Sequence, residues 1–195
     1  TILVDGLGQA QPISGMLYPA YGRIVGHQEG KDFFYVAGDV TLCYPRQPGN
    51  YSRWGLPLHE VYRQRALPYF ERFVRHIVFM RGKYFVIYDD LRCSQPARYT
   101  WLYHIRPTDP ITFDPQNFRV WYDVGPVKVC LQHVYRPDQL QLDDREGLEG
   151  LTNPFTGEDY RAQLKGDIIC GHNLWVTNRQ PAMDWRFLAV VVPQA

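Results

Sequence analysis

The sequence has no closely spaced cysteines, no long apolar run and no excess of one charge, and each absence argues against a class of protein. Its four cysteines, Cys43, Cys93, Cys130 and Cys170, are widely spaced and contain no C-x-x-C. That argues against a zinc knuckle. Three of them, Cys43, Cys130 and Cys170, sit in or beside apolar strand-like runs, which favours buried free thiols over disulfides. No apolar stretch approaches the roughly 18 residues of a membrane span. Twenty-one Lys and Arg against 20 Asp and Glu leave a net charge of +1, so a global attraction to nucleic acid or to a membrane has no support. There is no G-x-S-x-G, no H-E-x-x-H, no P-loop and no G-x-G-x-x-G after a strand, so nucleotide chemistry is not indicated.

What is present is aromatic and strand-like. The 195 residues include 14 Tyr, 10 Phe and 5 Trp, and hydrophobic residues make up 45%. Aromatic and β-branched residues favour strands and contact surfaces. Runs of this type recur at Glu71–Met80, Lys83–Leu91, Arg98–Ile105, Gln116–Asp123, Pro126–Val134, Asp167–Asn178 and Asp184–Pro193. Turn residues at Arg81-Gly82, Val124-Gly125 and Arg179-Gln180-Pro181 predict three hairpins. The fold class is therefore all-β, a large antiparallel β-sandwich of one domain over 1–195. In Arg98–Ile105 one face reads Tyr99, Trp101, Tyr103, Ile105. Phe73–Met80 is largely apolar on both faces, which suits a strand central in a sandwich or one covered by a second domain.

Two stretches resist the strand reading and predict long loop excursions. Tyr44–Tyr69 is punctuated by Pro and Gly, carries Tyr51, Arg53, Trp54, Tyr62, Arg63 and Arg65, and has room for a helical turn between Leu58 and Ala66. Arg136–Gly166 is acidic and contains "DDREGLEG". Loops of this length in a compact domain are functional or mobile. Flat aromatic faces stack on sugar rings, and guanidinium forks bind carboxylates or sulfates. Tyr51, Arg53, Trp54, Arg63 and Arg65 are thus candidate substrate contacts. Packing against a neighbouring domain uses the same residue types, and both readings stay open.

Few residues offer chemistry. His104, mid-strand in "TWLYHIRP", suits either a core-edge histidine hydrogen-bonded to backbone or a ligand or orienting group near a site. Asp39 in "VAGDVT" suits a turn before a strand. Asp89-Asp90 reads as a pair of turn carboxylates ending a strand, and His172 as a polar strand residue.

Four motifs in order, "TILVDGLGQ", "YVAGDVTLCYP", "FVRHIVFMRGKYFVIYDDL" followed by "WLYHI", and "HNLWVTNRQPAMDWRFLAVVVP", resemble the C-terminal β-domain of heparinase II/III-like polysaccharide lyases. The resemblance runs nearly from Thr1 to Ala195 and departs from the pattern in the long loops. It implies an N-terminal (α/α) toroid domain as partner and β-elimination of uronate-containing acidic polysaccharides such as heparan sulfate or alginate. Its catalytic Tyr and His would lie mainly on the toroid, so this chain would be incomplete as a catalyst. In the family a His-Asn pair precedes the strand matching "TILVDG", and the chain opens just past that point. Secreted or periplasmic bacterial localisation follows from the resemblance alone. So does a zinc site, in which Asp39 and His104 would be two ligands, too few to hold the metal by themselves. A non-catalytic carbohydrate-binding or scaffold module of the same fold is the alternative.

Overall fold

The computed structural model describes residues 1–9, 22–44, 66–105, 111–146, 156 and 172–194. Two antiparallel sheets form. The smaller has four strands in the order β1 (Ile2–Val4), β6 (Tyr99–Ile105), β11 (His172–Asn178) and β10 (Leu140–Glu146). The larger has eight: β2 (Arg23–Glu29), β3 (Phe33–Asp39), β4 (Phe70–Met80), β5 (Tyr84–Ala97), β12 (Ala182–Gln194), β9 (Val127–His133), β8 (Arg119–Val124) and β7 (Thr112–Asp114).

Alternation along the strands builds the core between the sheets. Tyr99, Trp101 and Ile105 of β6 are buried, as are Leu174 and Val176 of β11. Phe73 and Leu91 meet them from β4 and β5, and Phe187 and Leu131 from β12 and β9. Each such side chain contributes about 1.5–3 kcal/mol of burial. One charged pair crosses this core. Asp89, fully buried on β5, accepts two 2.7 Å hydrogen bonds from its cross-strand partner Arg75, one from Nε and one from Nη2. It also accepts the indole N–H of Trp101, from the opposite sheet, at 3.0 Å. Asp89 and Asp90 are therefore mid-strand residues, not the turn carboxylates the sequence suggests: β5 runs on to Ala97 because Arg75 and Trp101 satisfy the buried charge.

Turn chemistry is as expected in two hairpins, shifted by a residue. Gly82 lies at φ +67° in a three-residue turn, Arg81 to Lys83, closing β4 onto β5. Gly125, at φ +58°, and Pro126 join Val124 to its partner Val127. Asp5 and Gly6, both at positive φ, form a tight turn with reciprocal backbone bonds between Val4 and Leu7.

The third expected hairpin is not one. β11 pairs with β6 and β10 in the small sheet, whereas β12 pairs with β5 and β9 in the large sheet. The chain changes sheet at Arg179-Gln180-Pro181. Part of the expected acidic loop is also strand: Leu140–Glu146 is β10, an edge strand with Leu140 buried and Asp143 and Asp144 exposed. Edge strands tolerate charge in this way. Asp39 closes β3 and precedes a 3₁₀ turn, Thr41–Cys43, rather than a strand. Cys43, Cys93 and Cys130 are free thiols; Cys170 lies outside the described residues.

Candidate functional site

The outer face of the large sheet carries a charged cleft of about 560 Å³. Its position follows from strand parity. Phe73 and Arg75 point into the sandwich, so Arg72 and Val74 face outward. Register then aligns Arg72 of β4 with Arg92 of β5, and Arg92 with Asp184 of β12. The next outward row runs Asp39, Val74, Asp90, Arg186. Arg23, Asp39, Leu42, Glu71, Arg72 and Arg92 are among the residues lining the cleft.

Ion pairs fix these side chains. Arg72 reaches Asp90 at 2.9 Å, Arg92 reaches Glu71 at 3.0 Å, and Arg23 reaches Asp39 at 3.1 Å. Arg186 lies 3.7 Å from Asp90. Asp39 Oδ1 also accepts the Thr41 backbone N–H at 3.0 Å. Burial pushes the Asp39 carboxyl up, but the Thr41 and Arg23 hydrogen bonds outweigh it and hold Asp39 below the usual carboxylate range. The cleft can orient an anion or a polyhydroxyl ligand on fixed guanidinium groups.

His104 lies elsewhere. Trp101 and Ile105 are buried, so His104, exposed, projects from the outer face of the small sheet opposite Asn173. Partial burial and the nearby Thr1 amino group, which donates to the Leu102 carbonyl at 3.2 Å, lower its pKa. Asp39 and His104 thus stand on different sheets and outer faces, and the structure does not bring them together. Among the described residues no three His, Cys, Asp or Glu side chains gather as a metal cluster. Asp39 and His104 therefore do not share one zinc site. Tyr51, Arg53, Trp54, Arg63 and Arg65 lie outside the described residues. The chain enters that stretch at Tyr44, two positions after the cleft-lining Leu42, and Tyr44 is anchored by its hydroxyl to the Ile2 carbonyl at 2.7 Å.

Sequence reasoning missed Arg23, Glu71, Arg72, Arg92 and Asp184. The signal was available: in "ERFVRHIVFM" the polar residues Arg72 and His76 share the face opposite Phe73 and Arg75. His172 is the strand residue expected, with Nδ1 2.8 Å from an Asp144 carboxylate oxygen. His76 Nδ1 lies 2.9 Å from the Tyr35 hydroxyl.

No protein-family profile and no curated protein sequence matches the chain. Solved structures do. Heparan sulfate lyase HepC from Pedobacter heparinus aligns over 99% of this chain and 23% of its own, with TM-score 0.62 and 12% identity. A heparinase III with methylated lysines aligns over 100% of this chain and 23% of its own, at 0.59 and 11%. A further heparinase III structure gives 0.57 and 10% over 99% and 23%. The fold is that of a β-sandwich region of heparinase III. At these identities the likeness is one of fold, and the chain spans about a quarter of the heparinase III structures it matches.

Proposed function

We propose that the chain is the β-sandwich part of a heparinase-type polysaccharide lyase acting on uronate-containing acidic polysaccharides. The observation that carries this reading is the fold match over 99% of the chain to a heparan sulfate lyase of which it covers 23%. In β-elimination a base removes the proton from the sugar carbon beside the carboxylate and a carbon–carbon double bond forms. The glycosidic C–O bond breaks, and the leaving oxygen is protonated. The developing charge on the carboxylate must be met by fixed donors. The base belongs to a helical toroid domain of the same protein, and the sandwich contributes substrate contacts from Tyr51, Arg53, Trp54, Arg63 and Arg65. A secreted or periplasmic location accompanies this reading. Any zinc would need ligands from elsewhere in the protein beside Asp39 or His104, and metal analysis of the longer protein tests that.

Glycan titration of this chain tests the contacts. Trp54→Ala and Arg53→Ala each weaken binding of a heparan sulfate oligosaccharide by about tenfold, near 1.4 kcal/mol. Unchanged affinity in both variants would remove the loop from the site. Binding in the chain without any elimination by the longer protein would favour the carbohydrate-binding module instead.

A further inference from the structure

We infer that Arg72 and Arg92 form an anion subsite that takes the sulfate or carboxylate group of an acidic saccharide on the outer face of the large sheet. The two arginines are direct cross-strand partners on β4 and β5. Like charges placed opposite one another on a sheet repel, and although Asp90 and Glu71 each meet one of the two, an anion that bridged both would relieve that repulsion. The only carboxylate reaching both among the described residues is Asp184, and it does so poorly: its Oδ1 lies 3.6 Å from Arg72 Nη2 and 4.0 Å from Arg92 Nη1. Neither distance makes a hydrogen bond.

Both guanidinium groups are already aimed. Arg72 Nη2 donates to Asp90 at 3.1 Å, with Nε 2.9 Å from the same carboxylate but making no hydrogen bond, and Arg92 Nε donates to Glu71 at 3.0 Å. Arg72 Nη1 and both Nη atoms of Arg92 make no hydrogen bond within the described residues. Two fixed forks with unused N–H donors at the lining of a cleft match the oxygens of a tetrahedral sulfate or a planar carboxylate. Both arginines line that cleft together with Arg23. Glu71, Asp90 and Asp184 are the opposing charges, and Asp184 competes for the same donors. The inference rests on the acidic-polysaccharide reading only for the identity of the ligand.

The test is titration calorimetry of the full chain with inorganic sulfate, with a sulfated heparan oligosaccharide and with a non-sulfated uronate oligosaccharide. Arg72→Gln and Arg92→Gln each weaken binding by about tenfold or more. Asp184→Asn, by removing the competing carboxylate, tightens it by about two- to fivefold, and weakens with added salt as the wild type does. Arg81→Gln, on the distant turn and paired with Glu29, changes nothing. Preference for the sulfated sugar assigns the subsite to a sulfate ester, and equal binding of both sugars assigns it to the uronate carboxylate. Folded Arg72→Gln and Arg92→Gln variants that bind as wild type, or weaker binding by Asp184→Asn, would overturn the subsite. Elimination by the longer protein is a separate readout: loss of anion binding with lyase activity intact refutes the subsite alone. Anion binding at the pair with no elimination refutes the lyase reading alone.

Discussion

At the scale of single residues, two buried polar side chains make the stability of the sandwich sensitive to substitution and to pH. Asp89 is fully buried, and its charge is met by Arg75 and Trp101. Removing one partner of a buried pair strands the other, at a cost of about 3–5 kcal/mol. Asp89→Ala should therefore lower the urea unfolding free energy by that amount, while the double variant Arg75→Met/Asp89→Leu should lose less. A double variant that is worse than the single would mean the pair itself, and not its completeness, stabilises the core. His133 is the second residue. It is 2% exposed, neither ring nitrogen has a hydrogen-bond partner among the described residues, and Trp101, Phe118 and Phe187 surround it edge-on. Burial lowers its pKa from 6.5 to about 3. The unfolded chain takes up a proton below pH 6.5 that the folded chain refuses until about pH 3. Stability is therefore lost as pH falls through that window, by about 1.4 kcal/mol per pH unit. His133→Leu should remove this contribution, so that urea midpoints of wild type and variant diverge between pH 7.5 and pH 5. A constant gap between them would refute the role.

At the scale of elements, Asn178 explains why an expected hairpin becomes a crossover. It is fully buried at the end of β11, its Oδ1 accepts the Tyr99 N–H at 2.6 Å, and its Nδ2 donates to the Gln180 carbonyl at 2.6 Å. Tyr99 opens β6 just after β5 leaves the large sheet at Ala97, so one amide ties together the two places where the chain changes sheet. Asn178→Ala leaves buried backbone groups unpaired and should cost about 2–3 kcal/mol, read as a shift in chemical-denaturation midpoint. Asn178→Asp should recover part of the loss through Tyr99 alone. A neutral Asn178→Ala would show that the crossovers hold without it. Much of the fold was legible in the sequence, because β4, β5, β6, β8 and β9 carry aromatic and β-branched runs bounded by Gly or Pro. The partner of each strand was less so. Turn residues mark where a strand stops, while sheet membership depends on contacts far apart in sequence, such as that of Asn178 with Tyr99. β10 was hidden because "DDRE" has the composition of a loop and only Leu140 and Leu142 meet the core. The cleft was hidden for a related reason: Arg72, Arg92 and Asp184 come together only through register.

At the scale of the whole molecule, the large sheet has twice as many strands as the small one and extends beyond it. Ile24, Phe34 and Phe85 stay exposed on β2, β3 and β5, with Phe85 stacked on Phe79 at 4.6 Å. These residues share the inward parity of Val36, Ile77 and Ile87, so they continue the core face past the strands that cover it. Among the described residues no helix is long and apolar enough to cross a membrane. The central claim is that the sandwich contributes binding to a lyase whose base lies on another domain. Its most direct test is an elimination assay on heparan sulfate, chondroitin sulfate, hyaluronan and alginate, followed by the ultraviolet absorbance of the unsaturated uronate product. It is run on the folded chain alone and on a longer protein that joins it to the proposed helical domain. The account predicts no product from the chain and product from the joined protein on at least one uronate polysaccharide. Product from the chain alone, or none from either, would contradict it.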